Sequence, residues 1–431
     1  MNVFYSGSKL FFLLLIIFST VVYAQDNDSL KNKDIQMLEE KVDSLSLLIE
    51  NLRVDLEKAI SDKSPNTDSI DELKDSKEEP DSSIIPQDQR SKNKRIDELL
   101  RALEERPGAL RFNGSATTSL QSGLKNNFNK LYAVSSFDIF ALTSFGNGTL
   151  LFFDIEAIGG NGIDEITPTL SGLNGDVGSL QDVDGIDRLQ VLEAWGEFTI
   201  FDELFTVTAG KIDLTNYFDN NKYANDETLQ FLSNPFVNNP AFAVPGNSPG
   251  VRFRTTILGR FYFQVGFANA NNSGSDILNN VYKIIGTGLK ILPNTEWEAN
   301  LHLYNYWHPI ANDAAGFGLS FDETIFGKYQ VYARYGKNSK GLSDWYGIES
   351  SWSAGLSFLQ NIDDQGINIG VAYGITKPSG NSLQDERLLE LYTRYQINQW
   401  VYCSPHFQVV WNSLGSNNNY SVLGLRVHFN F

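Results

Sequence analysis

Cysteine is all but missing. Cys403 stands alone among 431 residues, so no intramolecular disulfide braces the chain. As a small apolar side chain on a strand it needs no special role. Histidine is nearly as sparse: His302, His308, His406 and His428 are scattered. They lack the spacing of metal ligands and lack a nucleophile motif to serve, so neither a metal site nor a hydrolase is expected. No cofactor is expected either. Positive charge is in deficit, with 34 Lys and Arg against 52 Asp and Glu and a net charge of −18. A nucleic-acid partner needs a basic surface, and this balance excludes one. Long hydrophobic runs are absent beyond residue 24. A mature chain in a membrane must then cross it as strands.

What is plentiful points the same way. There are 29 Phe, 18 Tyr, 7 Trp and 35 Gly. The mean hydropathy of −0.24 is no objection, because only alternate residues of a barrel strand face lipid.

The first 24 residues read as a signal peptide. Lys9 precedes an apolar run over 10–22, and Val22-Tyr23-Ala24 offers a cleavage site that would leave Gln25 first. An uncleaved anchor is the other reading, but the run is short for a helix spanning about 20 residues. Residues 25–106 hold 22 acidic and 14 basic residues and show no β-like alternation. Within 25–60, Ile35, Leu38, Val42, Leu45, Ile49, Leu52, Leu56 and Ala59 step by three and four. That is the seam of a coiled coil, which fits self-association, or one amphipathic helix lying on its own protein. A homotrimer follows only by analogy. Residues 61–106 form a polar linker with Pro65, Pro80 and Pro86, then a short helix over 94–105 ended by Arg106-Pro107-Gly108.

From 107 to 431 the period switches to two. Val251, Phe253, Thr255 and Ile257 alternate with Arg252, Arg254 and Thr256. Tyr329, Val331, Ala333 and Tyr335 alternate with Gln330, Tyr332 and Arg334. Leu389, Leu391 and Tyr395 alternate with Glu390, Tyr392 and Arg394. Sixteen such runs are expected, near 110–122, 130–146, 148–160, 188–201, 204–213, 250–258, 260–270, 282–291, 296–307, 314–322, 328–337, 348–358, 367–376, 387–397, 400–411 and 420–431. The fold class is therefore all-β: a transmembrane antiparallel β-barrel of about sixteen strands behind an α-helical coiled-coil segment. Sixteen strands are enough to enclose an aqueous channel. The last run ends on Phe431, and it resembles the C-terminal signal that the bacterial barrel-assembly machinery recognises.

Between two strands lies the most specific stretch. It carries Gly210, Lys211, Asp213, Phe218, Asp219, Ala224-Asn225-Asp226-Glu227-Thr228, Gln230-Phe231-Leu232, Asn238-Asn239-Pro240 and Pro245-Gly246, with Leu192-Glu193-Ala194-Trp195 upstream. This resembles the carbohydrate-selective porin family (OprB-like), over roughly 107–431. The resemblance implies an outer-membrane porin, passive diffusion, outer-membrane lipids as surroundings and small sugars as solutes. The stretch is also too long and too aromatic for a compact connection. Tyr217, Phe218, Tyr223, Phe231, Phe236 and Phe242 need something to pack on. Folding into the lumen or capping the barrel from outside would both supply it, and the lumen is favoured. The candidate pore residues are then Lys211, Asp213, Asp219, Asp226, Glu227, Arg252, Arg254, Arg334 and Arg394, with Tyr217 and Phe218. Aromatic faces would stack on sugar C–H faces while charged groups bind hydroxyls. Residues 161–187, rich in Asp and Gly, are expected to be a solvated surface loop rather than a calcium site. The competing functions are a non-selective porin and a barrel serving as envelope tether or adhesin.

Overall fold

The computed structural model describes residues 110–431 apart from 125–129, 147, 161, 177–187, 202–203, 258, 272–275, 277, 363–364 and 381. The expected signal peptide, coiled coil and most of the linker region lie outside the described residues.

Sixteen strands form one closed antiparallel sheet. In chain order they are β1 (Arg111–Gly123), β2 (Tyr132–Gly146), β3 (Thr149–Gly159), β4 (Arg188–Ile200), β5 (Phe205–Ile212), β6 (Ser248–Ile257), β7 (Phe261–Asn269) and β8 (Val281–Ile291). Then follow β9 (Ala299–His308), β10 (Ala314–Ile325), β11 (Tyr329–Asn338), β12 (Ile348–Ile362), β13 (Gln365–Pro378), β14 (Glu386–Asn398), β15 (Val401–Trp411) and β16 (Tyr420–Asn430). Each strand pairs with its sequence neighbours, and β1 pairs with β16 in the register Ala116↔Phe429 and Leu120↔Leu425. Phe431 completes the seam: its N–H donates to the Gly114 carbonyl and its carbonyl accepts from the Gly114 N–H, both at 3.0 Å. In hydrocarbon no water can satisfy an open edge, so closure is what such a sheet requires.

Connections differ between the two ends. One end has tight turns such as 326–328 and 399–400, and the chain enters β1 and leaves β16 there. The other end carries the connection after β3, the long segment 213–247 and six shorter connections, one of them holding a helix at Lys340–Tyr346.

The polarity is that of a globular protein turned inside out. Phe112, Phe137, Phe153, Phe253, Phe263, Trp352, Ile369, Leu391, Leu425 and Phe429 are exposed on the outer surface. Ser115, Thr117, Gln121, Asp138, Glu156, Arg252, Gln264, Ser320, Arg334, Glu390 and Arg426 are buried within. This is the period-two pattern with its apolar face outward, as hydrocarbon demands. Aromatics gather at the tight-turn end, where Trp297 meets Phe326 at 4.4 Å and Tyr329 meets Phe358 at 5.2 Å. Cys403 sits on β15 opposite Tyr395 and Val427.

Inward-facing tyrosines lie flat over glycines of the neighbouring strand. A Cβ on Gly318 would stand 2.1 Å from the Tyr304 ring, one on Gly288 2.2 Å from Tyr262, and ones on Gly355 and Gly370 2.3 Å from Tyr332 and Tyr392. The glycines therefore set how far each ring reaches into the lumen.

Candidate functional site

The segment after β5 is positioned from its first residue. Gly210 has a φ of +144°, and a Cβ there would lie 2.2 Å from the Ala194 carbonyl oxygen on β4. Only glycine fits so close an approach with that backbone. Glu193 on β4 then accepts from the Asp213 N–H (3.2 Å), the Asn216 side-chain amide (3.1 Å) and the Trp195 indole (3.1 Å). A one-turn helix follows, α1 (Thr215–Phe218), and a second lies further on, α2 (Asn234–Val237).

From there the segment dips through the lumen and returns. Asn221 donates to Ser320 at mid-height of β10, and the Lys222 amine reaches Glu298 at 3.1 Å in the tight turn before β9. The Tyr223 hydroxyl pairs with Thr324 near the same end. The chain then crosses the lumen. Arg394 on β14 donates to the Leu229 carbonyl (2.9 Å), and Arg426 on β16 to those of Glu227 and Gln230. Climbing again, the N–H groups of Leu232 and Ser233 both donate to the Glu390 carboxylate at 2.8 Å. At mid-height Arg334 on β11 donates to the carbonyls of Phe236 and Asp219 and lies 3.1 Å from the Asp219 carboxylate. Asp219 also accepts from the Asn239 N–H (2.8 Å) and the Tyr304 hydroxyl (2.9 Å). Neither ion of this pair is exposed by more than 1%.

Aromatic packing seals the segment to the wall. The Phe218 ring lies over Gly266 and Gly286, where a Cβ would approach it to 3.1 and 2.9 Å. Phe231 meets Phe236, Tyr332 and Tyr392 at 5.7, 5.6 and 4.9 Å. Phe242 rests between Tyr304 and Tyr306 at 4.7 and 5.1 Å. Of the two placements the sequence allowed for this segment, the structure has the lumen one.

Residues 162–176, expected as a solvated surface loop, are inside as well. Ile163 and Leu173 are fully buried in the cluster around Phe231 and Tyr392. The Leu173 carbonyl accepts from Gln408 (2.7 Å), Asn174 donates to Gln121 (3.1 Å), and the Leu170 N–H donates to Glu386 (3.0 Å). The two segments also bind each other, through Gly175 N–H to the Leu232 carbonyl at 2.7 Å. Composition misled here: the apolar anchors are few, and the polar backbone is satisfied by lumen side chains from distant strands. Among the described residues no group of His, Cys, Asp and Glu could hold a metal ion.

The candidate pore residues divide into five groups. Arg252, Arg254, Arg334 and Arg394 face the lumen as expected. Arg252 lies over the Tyr217 ring at 4.2 Å, Arg254 over Tyr262 at 4.5 Å and Arg394 over Tyr402 at 5.8 Å. Asp219, Tyr217 and Phe218 are buried in the docked segment. Asp213 and Asp226 serve the backbone. Each accepts both the N–H and the hydroxyl of a threonine two residues on, Thr215 at 2.8 and 2.7 Å and Thr228 at 2.9 and 2.6 Å. The shared Asp-x-Thr spacing is the sequence signal for such turns. Glu227 stands beside Asp226 and Asp176, and burial, then those two carboxylates, pushes its pKa up to about 8. Lys211 is misplaced by the motif. It pairs with Ala194 and Pro249, out of phase with buried Thr206, Thr208 and Ile212, so it lies on the outward side with its amine on the Val191 carbonyl.

Sequence reasoning missed Glu193, Glu390, Gln408 and Arg426, which hold the lumen segments; their strand positions showed the face but not the partner. It also passed over Gly246-Asn247-Ser248-Pro249-Gly250, which has the Gly-x-Ser-x-Gly spacing of a hydrolase nucleophile. Ser248 opens β6, is 1% exposed, and its hydroxyl has no hydrogen-bond partner, so no base is in place to activate it.

A family profile described as "Carbohydrate-selective porin, OprB family" matches residues 127–324 and 325–431. The high-pH structure of Pseudomonas putida OprB superimposes with a TM-score of 0.63, at 15% identity, over 78% of this chain and 97% of that one. The low-pH structure of the same protein gives 0.50 at 14% identity, over 78% and 96%. An uncharacterised protein of Aquifex aeolicus (strain VF5) is 28% identical over 299 residues, which is 69% of this chain and 85% of that protein.

Proposed function

Because the chain belongs to the carbohydrate-selective porin, OprB family, we propose that it is an outer-membrane channel through which small solutes diffuse passively, sugars in preference to ions. The observation that carries this reading is a segment of 35 residues, 213–247, folded inside a sealed cylinder with an apolar outer face. A chain so placed narrows a lumen that sixteen strands would otherwise leave wide. The aromatic faces paired with arginines support the preference. A sugar ring offers apolar C–H faces to an aromatic ring and a rim of hydroxyls to a guanidinium. On this reading the half-buried Arg394 and Glu227 meet solute, while Arg252, Arg254, Arg334, Tyr217 and Phe218 shape and brace the wall of the passage. The barrel-assembly machinery recognises the strand ending in Phe431, and the heptads of 35–59 draw copies together, as a homotrimer.

Liposome swelling tests the proposal. Vesicles holding the full chain should swell faster in sugars than in charged amino acids of equal size. Equal rates would leave a non-selective porin, and no swelling at all would favour the tether.

A further inference from the structure

Every outward-facing Lys or Arg on the strands with a described side chain lies at one end of the barrel. Alternation from the buried lumen residues places Lys211, Lys283, Lys337, Lys377 and Arg387 on the outer surface. All five lie within the last or first few residues of their strands, on the side of the long connections. The chain as a whole is acidic, so this basic girdle runs against its composition. Next to it the outer surface is grooved. Val265, Phe267, Ile285 and Trp307 line the groove together with Lys283 and Asp313. Pairing fixes the arrangement, because Lys283 stands directly between Phe267 and Trp307, with Val265 and Ile285 side by side one row nearer the barrel's middle.

Two of these cations have acidic neighbours, Lys283 with Asp313 at 3.1 Å and Lys377 with Glu349 at 2.9 Å. All four side chains are a third to a half exposed, so these pairs are weak and easily exchanged. An ammonium group has three donors, and one contact leaves two for another anion.

We propose that this girdle binds phosphate-bearing lipids, one of them with its phosphate on Lys283 and an acyl chain in the groove beneath. The inference rests on the reading of the barrel as a membrane protein. The ordering is what an amphiphile requires: cations level with the headgroups, an aromatic at the boundary, aliphatic surface below.

Native mass spectrometry of the full chain released from non-ionic detergent tests it, with phosphatidic acid and diacylglycerol of the same chains as probes. The protein should retain phosphatidic acid in preference to diacylglycerol. Lys283→Gln with Lys337→Gln should cut that retention by roughly tenfold. Arg260→Gln, in a tight turn at the opposite end, should leave it unchanged, and millimolar inorganic phosphate should not displace the lipid. Equal retention of diacylglycerol, retention undiminished in the double variant, an equal loss in Arg260→Gln, or displacement by free phosphate would each overturn the proposal. Swelling rates of the double variant separate the two claims: sugar entry should persist when lipid retention falls.

Discussion

The charged groups inside the barrel hold backbone as much as they face the passage. Arg334 spans two carbonyls and a carboxylate, and Asp219 answers it from the docked segment. Removing one member of a buried pair leaves an uncompensated charge, at a cost of about 3–5 kcal/mol. Asp219→Asn should therefore lower the stability of the detergent-solubilised barrel by about that free energy and its thermal midpoint with it; a midpoint within error of the parent would show the pair to be hydrated. Space is the other constraint at this scale. Gly286→Val places methyl groups where the Phe218 ring lies, since even a Cβ would approach it to 2.9 Å. Overpacking of this kind costs about 1–3 kcal/mol. The variant should also admit larger solutes in swelling assays, because the expelled ring takes α1 with it. Such roles were only half legible in the sequence. Alternation revealed that Arg334 faces inward, but not that its partners come from 219, 225 and 236. The Asp-x-Thr spacings at 213 and 226 did encode their turns and were read instead as carboxylates for solute.

The strands were legible in outline because each repeats one short rule over ten or so residues, and the rule is enforced at every other position. The lumen segments obey no such rule. Residues 213–247 betrayed themselves by aromatic content, whereas 162–176 did not, being held by Gln121, Glu386 and Gln408 from strands far away in the chain. These two elements meet at acidic groups. Burial, and then Asp138, raises the Asp176 pKa to about 7, against the pull of Ser136 and Arg426. Burial, with Asp226 and Asp176, takes Glu227 to about 8. A carboxyl whose pKa rises on folding favours the folded state in its protonated form. That contribution is complete below the ordinary values of 3.8 and 4.5 and is lost as pH climbs through about 7 and 8. The contact between the segments should then loosen between pH 5 and pH 9, visible as noisier or larger single-channel conductance at pH 9. Glu227→Gln should reduce the difference. Identical traces at both pH values in the parent protein would refute the coupling.

For the whole molecule, the outer surface sets the solvent and the seam sets the integrity. Phe431 supplies two of the backbone bonds that join β16 to β1, and its ring stacks on Phe137 at 5.5 Å. Deleting it should lower the yield of barrel that stays compact in unheated detergent electrophoresis, while total synthesis is unchanged. A normal yield would assign closure to the remaining pairs of the seam alone.

That seam joins the two extremes of the domain, and the order of synthesis follows from it. No intermediate short of β16 can be watertight, because β1 must wait for a partner fifteen strands further along the chain. Until then the growing polypeptide presents raw edges and a greasy flank, both invitations to aggregate. Contacts of such sequence separation form slowly. The sheet thus keeps two open edges until β16 arrives, and its vulnerability is greatest just before that strand docks.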